Sequence, residues 1–92
     1  MKLVGKVKVE DCFDGSSVYR YFFEAAWGRE DIRGLQALGR LEYYPDFPRP
    51  FFRLIGPGGA QLRGVEGEDS CQVVLPRQGR EEVIARLERH FL

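Results

Sequence analysis

The chain has 92 residues, with 14 basic and 14 acidic side chains, one histidine and two cysteines. This length predicts one domain, residues 1–92, and basic groups spread evenly along the chain argue against a nucleic-acid partner, without excluding a local arginine cluster formed by folding. No apolar run is long enough to cross a bilayer and no signal-like stretch follows Met1, so we expect a cytoplasmic protein with reduced thiols and no membrane association.

The N-terminal part of the sequence predicts a β-hairpin. Residues 2–10 alternate between aliphatic and charged side chains, which is the period of a half-buried strand. The predicted buried face of this strand carries Leu3, Gly5, Val7 and Val9. Asp14-Gly15 supplies the residues of a tight turn, and residues 18–27 alternate as a second strand with Tyr21 and Phe23 on one face. We therefore expect these two strands to pair antiparallel.

The segment 28–39 has two readings. Ile32, Leu35 and Leu38 recur every three residues, which favours a short helix or a 3₁₀ turn. Gly34 weakens a helix by about 1 kcal/mol relative to alanine, so an irregular strand that runs into the next segment is the alternative.

The segment 41–55 is the most unusual part of the chain. It contains five of the twelve aromatic residues, three of the five prolines and two arginines. Prolines remove backbone donors, so only Phe51–Ile55 is predicted to be a strand. Neighbouring rings in an extended chain face opposite ways, and some aromatic surface should therefore stay exposed. The candidate binding residues are Tyr43, Tyr44, Phe47, Arg49, Phe51 and Arg53. The structural alternative is a flap that covers an open edge of a thin core.

The rest of the sequence predicts two more strands and a helix. Residues 60–66 and 70–75, separated by glycine-containing turns, complete a three-strand meander with Phe51–Ile55. Residues 80–92 carry an apolar stripe with helical spacing, preceded by Gly79 as the N-cap. The stripe consists of Val83, Ile84, Leu87 and Phe91. The predicted class is α+β: a single antiparallel sheet, made of the hairpin and the meander, with the C-terminal helix on one face.

Residues suited to catalysis or metal binding are few. Cys12, Cys71 and His90 are too far apart in the sequence to form a recognisable zinc motif, and no nucleophile or phosphate-loop motif occurs. The acidic residues fall in predicted turns and at a helix start, where solvated carboxylates are ordinary. The sequence therefore predicts no catalytic site, no metal and no cofactor.

Three functions fit these residues, and the first is preferred. It is a non-catalytic protein–protein interaction module that uses the segment 41–55, with another protein or a second copy as partner. The second is a domain or enzyme accessory subunit that binds a small anion or a nucleotide through Arg49 and Arg53. The third is single-stranded RNA binding, with rings on a sheet face as stacking platforms.

Overall fold

The computed structural model describes residues 1–92 and contains one antiparallel sheet of six strands, with helical elements against one face. The strands are β1 (Leu3–Asp11), β2 (Ser17–Phe23), β3 (Arg40–Tyr44), β4 (Phe51–Ile55), β5 (Gln61–Val65) and β6 (Ser70–Leu75). The helices are α1 (Arg29–Gly34), followed by a 3₁₀ turn (Leu35–Ala37), and α2 (Arg80–His90). The strand order is β1-β2-β6-β5-β4-β3, which confirms the predicted α+β class.

The predicted hairpin and meander join through β2 and β6. These strands pair antiparallel, with Val18 opposite Val74 and Tyr21 opposite Cys71. The pairing brings together residues about fifty positions apart, and it makes one continuous sheet from two units that are each local in sequence.

The predicted buried face of β1 is wrong. Irregularities in pairing between Leu3 and Gly5, and between Lys8 and Glu10, shift the alternation, as β-bulges do. Leu3 lies opposite Phe23 on the helix-covered face, while the following aliphatic residues do not share its side. Val7 and Val9 remain 56% and 58% exposed, and Val7 lies opposite Arg20, which is also exposed.

The hydrophobic core lies between the sheet and the helices, and aromatic rings dominate it. Trp27 is 1% exposed and packs against Phe23, Phe52 and Phe91 at centroid distances of 5.2, 4.7 and 6.0 Å. Its indole N–H donates to the Ser70 carbonyl at 3.2 Å. Trp27 follows β2 rather than ending it, so the second strand is shorter than predicted.

Both helices form where the sequence favours them. In α1 the Asp31 carboxylate accepts the Gly28 backbone N–H at 3.0 Å, and Ile32 is fully buried. The short helix after the hairpin is therefore confirmed, and the strand alternative is wrong. In α2, Gly79 is the N-cap with φ 70°, a conformation that suits glycine. Of the predicted stripe, Val83, Leu87 and Phe91 are buried and Ile84 is half-buried.

The segment 41–55 is more regular than predicted. Arg40–Tyr44 forms β3, which pairs with β4 from Arg40 opposite Ile55 to Tyr44 opposite Phe51. The three prolines lie in the connecting loop, outside both strands, so they remove no donor from the sheet. The meander thus has four strands rather than three.

The two cysteines are free thiols on different strands or loops. Cys71 lies opposite Tyr21 near the end of β2, whereas Cys12 follows Asp11, which pairs with Ser17 at the start of β2. A bridge between them does not form in this fold.

Candidate functional site

The helices cover only one face of the sheet, and the opposite face carries the exposed aromatic residues of the central segment. We call Tyr44, Phe47 and Phe51 the aromatic corner. Tyr44 and Phe51 are cross-strand neighbours with stacked rings, centroids 4.8 Å apart. Phe47, in the loop between β3 and β4, contacts both rings at 6.0 and 5.3 Å. The three side chains stay 41%, 54% and 38% exposed although they pack together.

An arginine row crosses the same face next to the aromatic corner. We use this name for the cross-strand row Arg20, Gln72, Arg63, Arg53 and Glu42, from β2, β6, β5, β4 and β3 in that order. Each pair of neighbours in the row is a direct cross-strand pair. Side chains at directly opposite positions point to the same face, so the row presents three guanidinium groups together.

The charges in the row are only partly balanced. Arg53 donates two hydrogen bonds to Glu42 Oε1, at 2.8 and 2.5 Å. Arg20 donates to the Ser70 hydroxyl at 3.1 Å and has no carboxylate partner. Arg63 is exposed and forms no ion pair. Because Arg63 lies directly opposite Arg53, two like charges face each other across neighbouring strands.

The arginine row and part of the aromatic corner line a shallow concavity of about 580 Å³. Two glutamates also line it, and each has an arginine partner: Glu42 pairs with Arg53, and Glu68 pairs with Arg49 at 2.6 Å. Arg20 and Arg63 are therefore the two lining cations without a compensating acid. The concavity has a positive centre and an apolar, aromatic end.

The structure separates the six candidate residues of the sequence into four places. Tyr44, Phe47 and Phe51 come together in the aromatic corner, and Arg53 lies beside them in the arginine row. Arg49 lies on the rim, exposed, where its guanidinium holds Glu68.

Tyr43 points away from the concavity. It packs against the core on the covered side, and its hydroxyl bonds to Glu66. This hydrogen bond to a carboxylate raises the pKa of Tyr43, and the nearby phenol in turn raises the pKa of the Arg29 guanidinium. Tyr43 thus ties β3 to the turn after β5, a role distinct from that of Tyr44 next to it.

Arg20, Arg63 and Gln72 were missed by the sequence reasoning. Each lies on the outward face of its strand by simple alternation, and that signal was present. What was missing was the register: Arg20 and Gln72 become neighbours only through the pairing of β2 with β6.

No three His, Cys, Asp or Glu side chains lie in positions that could hold a metal ion. Neither helix is long and apolar enough to traverse a bilayer. No protein-family model matches the chain, and neither the curated proteins nor the solved structures contain a match to it.

Proposed function

We propose that this chain is a non-catalytic protein-interaction domain that docks its partner on the uncovered face of the sheet. The aromatic corner carries the proposal, because its three rings pack on one another and still leave 38–54% of each residue exposed. Rings held in place by their neighbours lose little conformational freedom on binding. Aromatic residues and arginine also dominate the energetic centres of protein interfaces.

The charges next to the aromatic corner indicate the chemistry of the partner. Arg20 and Arg63 line the concavity without a compensating carboxylate. Interfaces are stabilised and oriented by opposite charges. We therefore propose a segment of another protein that places an apolar side chain on the aromatic corner and acidic groups over the arginine row. The two free cysteines are consistent with a reducing compartment, and we place the function in the cytoplasm.

A second copy of this chain is a poorer occupant of this face. A two-fold pair uses the same patch on both subunits. If the axis passed through the concavity, the arginine row of one subunit would meet that of the other, and like charges at an interface oppose association. The partner we favour is thus a different protein.

A selection from a random-peptide display library tests the proposal, since it reveals the chemistry that the face binds even while the partner is unidentified. Peptides selected on the wild-type domain should combine aromatic or aliphatic residues with Asp or Glu. Phe47→Ser should weaken their binding by about tenfold or more, roughly 1.4 kcal/mol, since truncation of a central aromatic residue commonly has this effect. Phe47 is 54% exposed, so the variant should keep the melting temperature of the wild type.

Phe13→Ser is the matched control, because Phe13 is a fully exposed ring in the β1–β2 loop, outside the concavity. It should leave peptide binding unchanged. Equal loss in both variants, or selected peptides insensitive to Phe47→Ser, would contradict docking at the aromatic corner. Light scattering adds a further check: self-association that Phe47→Ser abolishes would make the partner a second copy.

A small anionic ligand is the second candidate, and the size of the concavity favours it. Small-molecule sites typically occupy roughly 300–1,000 Å³, and this one has about 580 Å³. A nucleotide could place its phosphate near the unpaired arginines and its base on Phe51. A rise in melting temperature with millimolar AMP that exceeds the rise with the same concentration of inorganic phosphate, and that is lost in Arg63→Gln, would favour this function over the first.

Single-stranded RNA fits the same face less well. Nucleic-acid binding usually neutralises several phosphates. Two of the five charged groups that line the concavity are glutamates, and only two arginines there lack an acidic partner.

A further inference from the structure

Arg20, Gln72 and Arg63 occupy directly paired positions on three neighbouring strands, β2, β6 and β5. Adjacent strands lie about 4.8 Å apart, so the two arginine backbones are about 10 Å apart with Gln72 between them. Both arginines are exposed and line the same concavity. The Arg20 guanidinium reaches toward Ser70, and both side chains are long enough to contact an anion above the central glutamine. The group offers two planar guanidinium forks and one amide donor, with no acidic side chain among its three members.

The arrangement is unfavourable for the isolated domain. Arg63 lies directly opposite Arg53, and like charges at opposed positions of a sheet are destabilising. Arg53 is paired with Glu42, whereas Arg63 has no ion pair and the only hydrogen bond of Arg20 is to the Ser70 hydroxyl. Neither Arg20 nor Arg63 belongs to the hydrophobic core. A bound anion would compensate the charges of Arg20 and Arg63, which no carboxylate of the fold balances.

We infer that Arg20, Gln72 and Arg63 form an oxyanion-binding subsite that receives a carboxylate or phosphate group of the docked partner. The inference rests on the proposed docking face for its partner, but the subsite itself binds the free anion. The shared chemistry is an oxygen anion held by two guanidinium groups. An acidic side chain and a phosphorylated side chain are its two sources.

Titration of the domain with inorganic phosphate, followed by NMR of the arginine Nε–Hε groups, tests the subsite directly. The resonances of Arg20 and Arg63 should shift in a saturable manner at constant ionic strength. The resonances of Arg33, an exposed residue of α1 on the helix side of the sheet, should not shift. An equal response of all three arginines, or none, would overturn the inference.

Substitutions then separate the subsite from general charge effects. Arg63→Gln should weaken phosphate binding by about tenfold, because a charge-assisted bond is lost. Arg63→Lys should restore only part of the affinity, since lysine keeps the charge but not the planar fork. Arg33→Gln removes the same charge from the other face and should leave binding unchanged. An affinity for phosphate that is the same in Arg63→Gln and Arg33→Gln would contradict a specific anion site at Arg20, Gln72 and Arg63.

The source of the anion is distinguished with two free ligands, O-phosphoserine and glutamate, each blocked at its termini. Saturable binding of either one that depends on Arg63 supports the subsite, and the tighter ligand identifies the partner group. Phe47→Ser should not change the binding of either ligand. Anion binding that persists when all selected peptides prove insensitive to Phe47→Ser would refute the docking face alone. Peptide docking without anion binding would refute the subsite alone.

Discussion

Gly64 shows how one missing side chain shapes the covered face of the sheet. It lies opposite Phe52 on β4 and opposite Cys71 on β6. The Phe52 ring packs over the glycine: a Cβ atom built there would be 2.5 Å from Cζ and 2.8 Å from Cε1. Glycine in a strand commonly marks such a close approach. Phe52 in turn contacts Trp27 at 4.7 Å, so the glycine supports the aromatic core.

Gly64→Ala should lower the free energy of unfolding by about 1–3 kcal/mol, because the added methyl group forces the buried Phe52 ring out of place. Urea denaturation measures the change. Gly5→Ala is the matched control in an edge strand, since a Cβ atom at Gly5 would have no heavy atom within 4 Å. Equal stability of the two variants would show that the Phe52 ring moves aside without loss.

The sequence could indicate which side chains of the binding face point outward, but not which side chains lie next to them. Alternation was enough to place one ring of each adjacent pair outward, and Tyr44 and Phe51 are the outward members. Their contact depends on the β3–β4 register. The arginine row needs four strand pairings at once, and single-strand periodicity carries no information on any of them.

Among the elements, β3 was the one not recognised in the sequence. The count of prolines in the segment 41–55 suggested an irregular flap, yet all three fall in the loop after Tyr44. Five residues suffice for β3 because it is an edge strand that needs only one partner, β4. The proline content of the whole segment was misleading, because the positions of the prolines within it decide which residues can form a strand.

The buried face of the edge strand β1 was predicted wrongly for a different reason. Its alternating pattern is real, but two irregularities in pairing divide it, so a period counted from Leu3 already fails at Gly5. Bulges and lysines are common on edge strands because both discourage pairing with other chains. Lys6 also bonds Glu88 of α2 at 2.8 Å, which fastens this edge to the helix layer.

The helix α2 is the element whose loss should be least tolerated. Leu87 is fully buried against the sheet, and an aspartate there would place an unpaired carboxylate in the core. Such a group destabilises by at least about 3 kcal/mol, a large share of the 5–15 kcal/mol typical of a domain. We expect Leu87→Asp to abolish cooperative thermal unfolding in circular dichroism.

The control is Ala85→Asp, which introduces the same charge on the exposed side of α2. It should lower the melting temperature only slightly, through the weaker helix propensity of aspartate. If Leu87→Asp has the same melting temperature as Ala85→Asp, packing of α2 on the sheet does not contribute to the stability of the core.

At the scale of the whole molecule, burial of one thiol should make stability depend on alkaline pH. Burial raises the pKa of Cys71 from 9.0 to about 12. Between these values the unfolded chain loses the proton that the folded chain keeps, so the free energy of unfolding falls as pH rises. The contribution is complete below pH 9.0 and decreases by about 1.4 kcal/mol per pH unit above it.

Cys71→Ala should therefore flatten the decline of stability measured by urea denaturation at several pH values from 8 to about 10.5, even if the variant is less stable throughout. Cys12→Ala serves as the control, because Cys12 is not fully buried. Its pH dependence should follow that of the wild type. A wild-type slope in Cys71→Ala would assign the alkaline loss to other groups.

The overall class could be predicted because the hairpin, the meander and the C-terminal helix are each local in sequence. Their assembly could not, since β2 and β6 recognise each other across about fifty residues. The covered face follows from helical and strand periodicity, whereas the shape of the open face follows from the assembly. Prediction therefore succeeded for the core apart from β1, and it stopped at the surface proposed to bind.

The helices lie on one side of the sheet only, so residues on the two faces of the same strand are constrained differently. Side chains on the covered side, such as Leu54, Leu62 and Val73, are locked into one dense interior. Outward positions on the same strands, such as Arg53, Arg63 and Gln72, contribute nothing to that interior. Variation there would alter which molecules are captured while the scaffold persists, so this small architecture is well suited to acquire new specificities by laboratory evolution.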